Sequence, residues 1–410
     1  MTTSPWILGG YQSDFARNTR REGIGFAELV GEIVQGTLTD AGVEAADVQV
    51  VHVGNAFGQL FTGQGQLGGM PATVEPGLWG TPAVRHEAAC ASGSMALLAA
   101  MADLAAGHYD LALVLGVEIE KSVPGDIGAG HLGAAAHIGH EGQQATYMWP
   151  YMFDRLAEEY DRRYGLDDAH LHRIAEVNIA NARRNPLAQT RDWAFTPASF
   201  TDDDEANPRV EGRVRRTDCS QLTDGGAGIV VASDRYLREH PELARRPLAR
   251  IPGWGHRTVG LRLEQKLEHS ADQEYVLPHV RETITDAFGR AGVAGVEQLD
   301  AIETHDCFSM SEYAAIDHFG ITTPGKSWHA VESGELELGG RLPVNPSGGL
   351  IGGGHPVGAS GVRMVLDGYK QVTGRAGDYQ VDGARTVATL NIGGSTTTCA
   401  SFVVTAAGQA

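Results

Sequence analysis

The sequence predicts an α/β protein built from two similar layered halves, with one long excursion in the first. Three observations carry this reading. A helix–glycine–strand unit occurs twice, and the units after it recur in the same order in both halves. One connection between strands is long in the first half and short in the second. Self-similarity of this kind points to duplication.

The first unit, residues 26–57, reads as an amphipathic helix, a stop at Ala41-Gly42-Val43 and a buried strand over 47–54. Residues 276–308 repeat it, with Ala291-Gly292-Val293 and a strand over 299–305. Apolar residues recur at helical spacing before each glycine, and the glycine marks the helix end. A helix over 93–106 and a strand over 111–117 follow in the first half. Their counterparts are a helix over 358–372 and a strand over 386–392. Each half opens with a strand, over 5–9 and 248–253, and closes with one, over 226–233 and 397–405. Each half therefore has about five strands, with helices expected on both sheet faces. The expected boundaries are 1–120 with 222–245 for the first half, 121–221 for the excursion, and 246–410 for the second half. The excursion has a helical stretch over 151–184 and a polar loop over 201–218, the composition of a lid or ligand-binding insertion.

Composition narrows the function classes. The 410 residues are 42% hydrophobic, enough for a large core, and the 54 glycines are not periodic. A net charge of −19 argues against nucleic acid and anionic membranes as partners. No segment is expected to span a membrane, and neither a leader at Met1–Trp6 nor a peroxisomal address at Ala407–Ala410 is read. Four cysteines without a CxxC pair fit a reducing, cytoplasmic setting. His131, His137 and His140 lack a carboxylate or thiol at ligand spacing, so no metal site is expected.

Cys90 lies among small residues just before a helix. Unpaired N–H groups at a helix start favour a thiolate, which suits a nucleophile. The same pattern fits a buried thiol packed as a small hydrophobe. The equivalent run in the second half contains His355, flanked by glycines. If the halves pack about a pseudo-twofold axis, the two helix starts face each other and His355 reaches Cys90, the pair that thiol activation needs. His305-Asp306-Cys307-Phe308 and Asn391-Ile392-Gly393-Gly394 end strands, where ligands of α/β sheets bind. Taken alone, Cys307 reads as core packing beside Phe308 rather than as a site residue.

The nucleophile segment around Cys90, the HDCF run at 305–308, the GHP run at 354–356 and the NxGG run at 391–394 together resemble the thiolase superfamily. The resemblance is greatest to the branch linked to sterol carrier protein. It implies a five-layered α-β-α-β-α fold that acts on 3-oxoacyl-CoA, with coenzyme A as co-substrate and no tightly bound cofactor. It implies that Cys90 becomes acylated, that His355 takes its proton, and that His305 and His355 line the enolate site. The backbone N–H groups of Cys90 and Gly393 would form an oxyanion hole. Many thiolases carry an acid–base cysteine where this chain has Asn391, and in this branch the role passes to Cys307. Arg184, Arg213, Arg215 and Arg216 are candidates for the coenzyme A phosphates, since arginine binds phosphate bidentately; a solvated loop reads equally well. A homodimer or homotetramer is implied. A thiolase-fold aldolase or acyltransferase working with a small partner protein, and a non-catalytic coenzyme A-binding homologue, are the alternatives.

Overall fold

The computed structural model describes residues 4–408. The first half contains β1 (Trp6–Gln12), α1 (Phe26–Ala41), β2 (Val50–Gly54), β3 (Ala83–His86), α2 (Ser92–Ala106) and β4 (Leu111–Glu118). The excursion follows, with α3 (Gly125–Leu132), α4 (Met148–Tyr164), α5 (Asp168–Ala182) and a small hairpin, β5 (Arg209–Glu211) with β6 (Val214–Arg215). β7 (Gly225–Ala232) closes the half. The second half runs β8 (Ala249–Thr258), α6 (Pro278–Ala291), β9 (Ala301–Thr304), α7 (Ser309–Phe319), α8 (Ser360–Val372), β10 (Thr386–Gly393) and β11 (Thr398–Ala406).

The strands lie in the order β3-β2-β4-β7-β1-β8-β11-β10-β9. Within it the two halves repeat one topology. β2 and β4 pair in parallel and β4 and β7 antiparallel; β9 and β10 pair in parallel and β10 and β11 antiparallel. Among the described residues the half-sheets join where Trp6 and Ile7 pair with Arg250 and Ala249 and where the Pro5 carbonyl accepts the Ile251 N–H. Side chains alternate between sheet faces, and here both faces are buried. Leu111, Leu113 and Leu115 of β4 pack outward on Leu29 and Ile33 of α1. Ala112 and Val114 pack inward on Leu97 and Ala100 of α2, in one cluster with Val362 and Leu366 of α8 and with Val387 and Phe402 of the second sheet. α6 and α7 cover the other face of the second sheet. Helix, sheet, helix pair, sheet and helix make five layers.

Four features differ from the sequence reading. In the second half a single bridge between Ile302 and Val344 stands where the first half has β3, so that half has four strands. β3 is a four-residue edge strand with Ala83 and Val84 exposed, too short and too open to show alternation. The helical stretch over 151–184 is two helices, broken after Gly165 and restarted where the Asp167 side chain accepts the Ala169 N–H. The segment Ala89–Ala106 does reach the length and hydropathy of a membrane span. It is the middle-layer helix, and its apolar character comes from contact with both sheets.

Candidate functional site

The C-terminal end of β3 runs into the tight turn Ala88–Cys90 and then into α2. Ala89 has φ +50°, a left-handed value that costs a residue with a Cβ about 1–3 kcal/mol. Three short bonds hold the turn: Ser92 Oγ accepts the Ala88 N–H and donates to the Ala89 carbonyl, and Glu87 accepts the Ala89 N–H. The strain presents Cys90 at the floor of a cavity of about 300 Å³. Apolar walls come from Phe57, Leu132, Trp149, Phe153, Leu222 and Phe308, and three of these six belong to the excursion.

The two halves meet as the repeat predicts. The Cys90 sulfur and one ring nitrogen each of His305 and His355 all lie within 4.8 Å of one another. The imidazole rings meet edge to face, centroids 5.2 Å apart. Ser360 Oγ donates to the Pro356 carbonyl and takes the Nδ1–H of His355 at 2.7 Å. That leaves Nε2 of His355 as a buried lone pair without a hydrogen-bond partner among the described residues. Burial, and then the Arg363 charge, push its pKa down to about 3, so it is a neutral base at any physiological pH.

His305 has the opposite polarity. Ser94 Oγ donates to Asn391 Oδ1 at 2.7 Å, so the Asn391 amide turns its Nδ2 donor to His305 Nδ1 at 3.1 Å. His305 Nδ1 then accepts and Nε2 carries the hydrogen. Burial and the neighbouring His355 hold its pKa well below the usual value. One histidine is a lone pair and the other an N–H donor. The trio would suit a soft cation by residue type, but a lone pair on His305 would require the Asn391 amide to turn over.

Helix-end polarity does not make Cys90 a resting thiolate. Burial, then the charge of Glu120 and further that of Glu118, push the thiol up to about 12, against the N–H groups of Gly394 and Cys90 that point at the sulfur. A base is therefore required. The N–H at the sulfur belongs to Gly394, which lines the cavity, one residue beyond the expected Gly393. Gly393 instead packs its Cα against the Ala88 carbonyl, where a Cβ would lie 2.2 Å from the oxygen.

Cys307 is buried on the cavity wall with its sulfur 3.9 Å from Ser311 Oγ. Burial, then the proximity of Cys90, raise its pKa well above the ordinary thiol value. Cys219 also lines the cavity and donates to the Arg215 carbonyl. Among the candidate phosphate ligands, Arg213 is engaged by Asp161 and Asp168, and Arg215 is 2% exposed and tied to Asp204 and Asp202. Arg184 is exposed and away from the cavity lining. Arg216 is exposed at the cavity and has no acidic partner among the described residues.

Two residues escaped sequence reasoning. Glu118 accepts N–H groups from Ala56, Phe57 and Gly358, and Glu120 accepts those of Val357 and Thr223. The available signal was a pair of carboxylates, Glu118-Ile119-Glu120, at the end of an otherwise wholly apolar strand.

Two family models match the chain: the N-terminal thiolase domain over residues 6–207, and a C-terminal thiolase-like domain over 263–406. The chain belongs to the thiolase family.

Curated thiolase relatives span nearly its whole length. It is 31% identical to an acetyl-CoA acetyltransferase of Methanothermobacter thermautotrophicus, covering 93% of this chain and 94% of that one. It is 27% identical to sterol carrier protein 2 of Gallus gallus, covering 95% of this chain and 69% of that one. Among solved structures, the fold is shared with an Ltp2-ChsH2(DUF35) aldolase (TM-score 0.76, 21% identity, 100% of this chain and 99% of that one). It is shared too with an acetyl-CoA acetyltransferase from Syntrophomonas wolfei (TM-score 0.69, 16% identity, 99% of each).

Proposed function

We propose that this thiolase-family protein is an acyl-CoA C-acyltransferase that cleaves 3-oxoacyl-CoA with coenzyme A, or runs the reverse Claisen condensation. The observation that carries the reading is the Cys90–His305–His355 cluster, with a lone pair on one histidine and an N–H on the other. His355 Nε2 takes the thiol proton as Cys90 attacks the 3-oxo carbon. The tetrahedral oxygen forms beside the Gly394 and Cys90 N–H groups. The C2–C3 bond breaks, and its electron pair becomes an acetyl-CoA enolate whose oxygen meets the His305 Nε2–H. Cys307 gives its proton to the enolate carbon. Coenzyme A then passes its thiol proton to the Cys307 thiolate and attacks the acyl-enzyme, and Cys90 leaves with the proton held by His355. A thiol suits the Cys307 step because its raised pKa keeps it protonated until the strongly basic enolate carbon forms beside it. Arg216 is the candidate for a coenzyme A phosphate at the cavity mouth.

A second reading, a carbon–carbon lyase requiring a small partner protein, is favoured by the aldolase complex among the structural neighbours and by the absence of a titratable proton at Asn391. One experiment separates them. Intact-mass spectra of the protein with 3-oxoacyl-CoAs of increasing chain length should show an acyl adduct on Cys90 that coenzyme A discharges. No adduct with any chain length, and turnover of 3-hydroxyacyl-CoA only with an added partner, would replace the first reading by the second.

A further inference from the structure

Glu120 is 1% exposed, lines the same cavity as Cys90 and His355, and has no part in the proton transfers above. Both its oxygens are occupied, each by a backbone N–H: Oε1 takes Val357 at 2.8 Å and Oε2 takes Thr223 at 3.1 Å. These two residues bracket His355. Thr223 Oγ1 accepts the backbone N–H of His355 at 2.9 Å, and Val357 lies two residues beyond it. Glu120 comes from the end of the first-half strand β4 and His355 from a second-half loop, so the carboxylate crosses the seam between the halves. It thus holds the loop directly at Val357 and, through Thr223, at His355 itself.

We propose that Glu120 is a positioning residue that sets the reach of the His355 imidazole to the Cys90 sulfur. A carboxylate is needed because both bonds are accepted. An amide of the same size presents one NH2 to an N–H, which repels the loop on one side. Displacing a base by about 1 Å costs about 10²-fold in rate.

The inference rests on Cys90 as nucleophile and His355 as its base, but part of its test needs no acyl substrate. In Glu120→Gln, alkylation of Cys90 by iodoacetamide at fixed pH should slow about 10-fold, because the displaced imidazole no longer meets the thiol proton. In the same protein kcat should fall about 10²-fold with KM little changed. Glu120→Asp keeps both acceptors and shortens the reach, so it should slow both in smaller measure. An unchanged alkylation rate in Glu120→Gln, or full turnover in either variant, overturns the proposal. Failure of both variants to fold assigns the carboxylate to folding and overturns it as well. If no acyl-CoA is ever turned over, the two alkylation rates still decide the positioning role, and the loss then falls on the proposed reaction instead.

Discussion

Asn391 stands where the resemblance places a titratable thiol in many thiolases, and its amide fixes which ring nitrogen of His305 carries the hydrogen. The chain Ser94 Oγ–H to Asn391 Oδ1, and Asn391 Nδ2–H to His305 Nδ1, makes His305 an N–H donor to whatever oxygen forms in front of it. Asp at this position would accept where the amide donates, draw the hydrogen to Nδ1 and turn a lone pair towards the enolate oxygen. Asn391→Asp should therefore lower kcat by about 10²–10³, the usual loss for one oxyanion donor, with a smaller change in KM. Steady-state kinetics check this, and unchanged kcat would show that His305 does not act through that hydrogen. At this scale the sequence was most legible where residue type alone implies chemistry: Cys90, His305, Cys307 and His355 all lie at or against the cavity. It was least legible where a residue acts through backbone. Nothing about Glu120 in the sequence announces that Val357 and Thr223, both distant along the chain, will donate to it.

The elements that bring these side chains together are α2 and α8, one from each half, whose N-terminal ends cross in the middle layer. Glycine permits the crossing. A Cβ on Gly93 would meet the Gly358 carbonyl oxygen at 2.8 Å and the Val362 nitrogen at 3.0 Å, both backbone atoms that cannot swing aside. On the facing helix, a Cβ on Gly361 would lie 2.4 Å from the Ser94 nitrogen and 2.6 Å from Asn391 Oδ1. Gly93→Ala should thus destabilise the protein by about 1–3 kcal/mol, as overpacking does, and lower turnover by spreading the helix ends. Urea midpoints and kcat measured on the same preparation check both, and a variant as stable and as active as the original would mean that the helices have slack here. The repeated helix–glycine–strand unit was readable because amphipathic α1 and α6 turn one face to the core and end at Gly42 and Gly292 in left-handed geometry. α7 was not, because all eleven of its residues are buried and no polar face marks its period.

Across the whole molecule, the seam between halves is unusually rich in buried ionisable groups, and this couples stability to pH. Burial raises Glu118 to about 7. Burial and the neighbouring acids Asp367 and Asp306 raise Glu303 to about 7 and Glu312 to about 8 respectively. Ordinary glutamate lies near 4.3. The folded state therefore binds more protons than the unfolded chain at neutral pH, so this contribution is full in acid and is lost as pH rises through these values. Half-buried His86 and buried His279 and His355, lowered to about 4, 4 and 3, act in the opposite sense. Their contribution is full above the unfolded value near 6.5 and is lost as pH falls from there. Between about pH 6.5 and 8 the three carboxyl groups outweigh Lys266, which burial lowers to about 8 and which acts in the opposite sense; each extra proton the folded state holds costs about 1.4 kcal/mol per pH unit. The urea midpoint should thus fall steadily from pH 6.5 to 8, and Glu118→Gln should lessen that slope by removing one of the protons. Below pH 6.5 the two sets oppose each other and the curve should flatten. A midpoint that rises between pH 6.5 and 8 would mean that these acids are already ionised in the folded protein. The Glu118 carboxylate would then clamp the Asn55–Phe57 turn to the Gly358 N–H as a full charge, solvated only by the four donors it accepts.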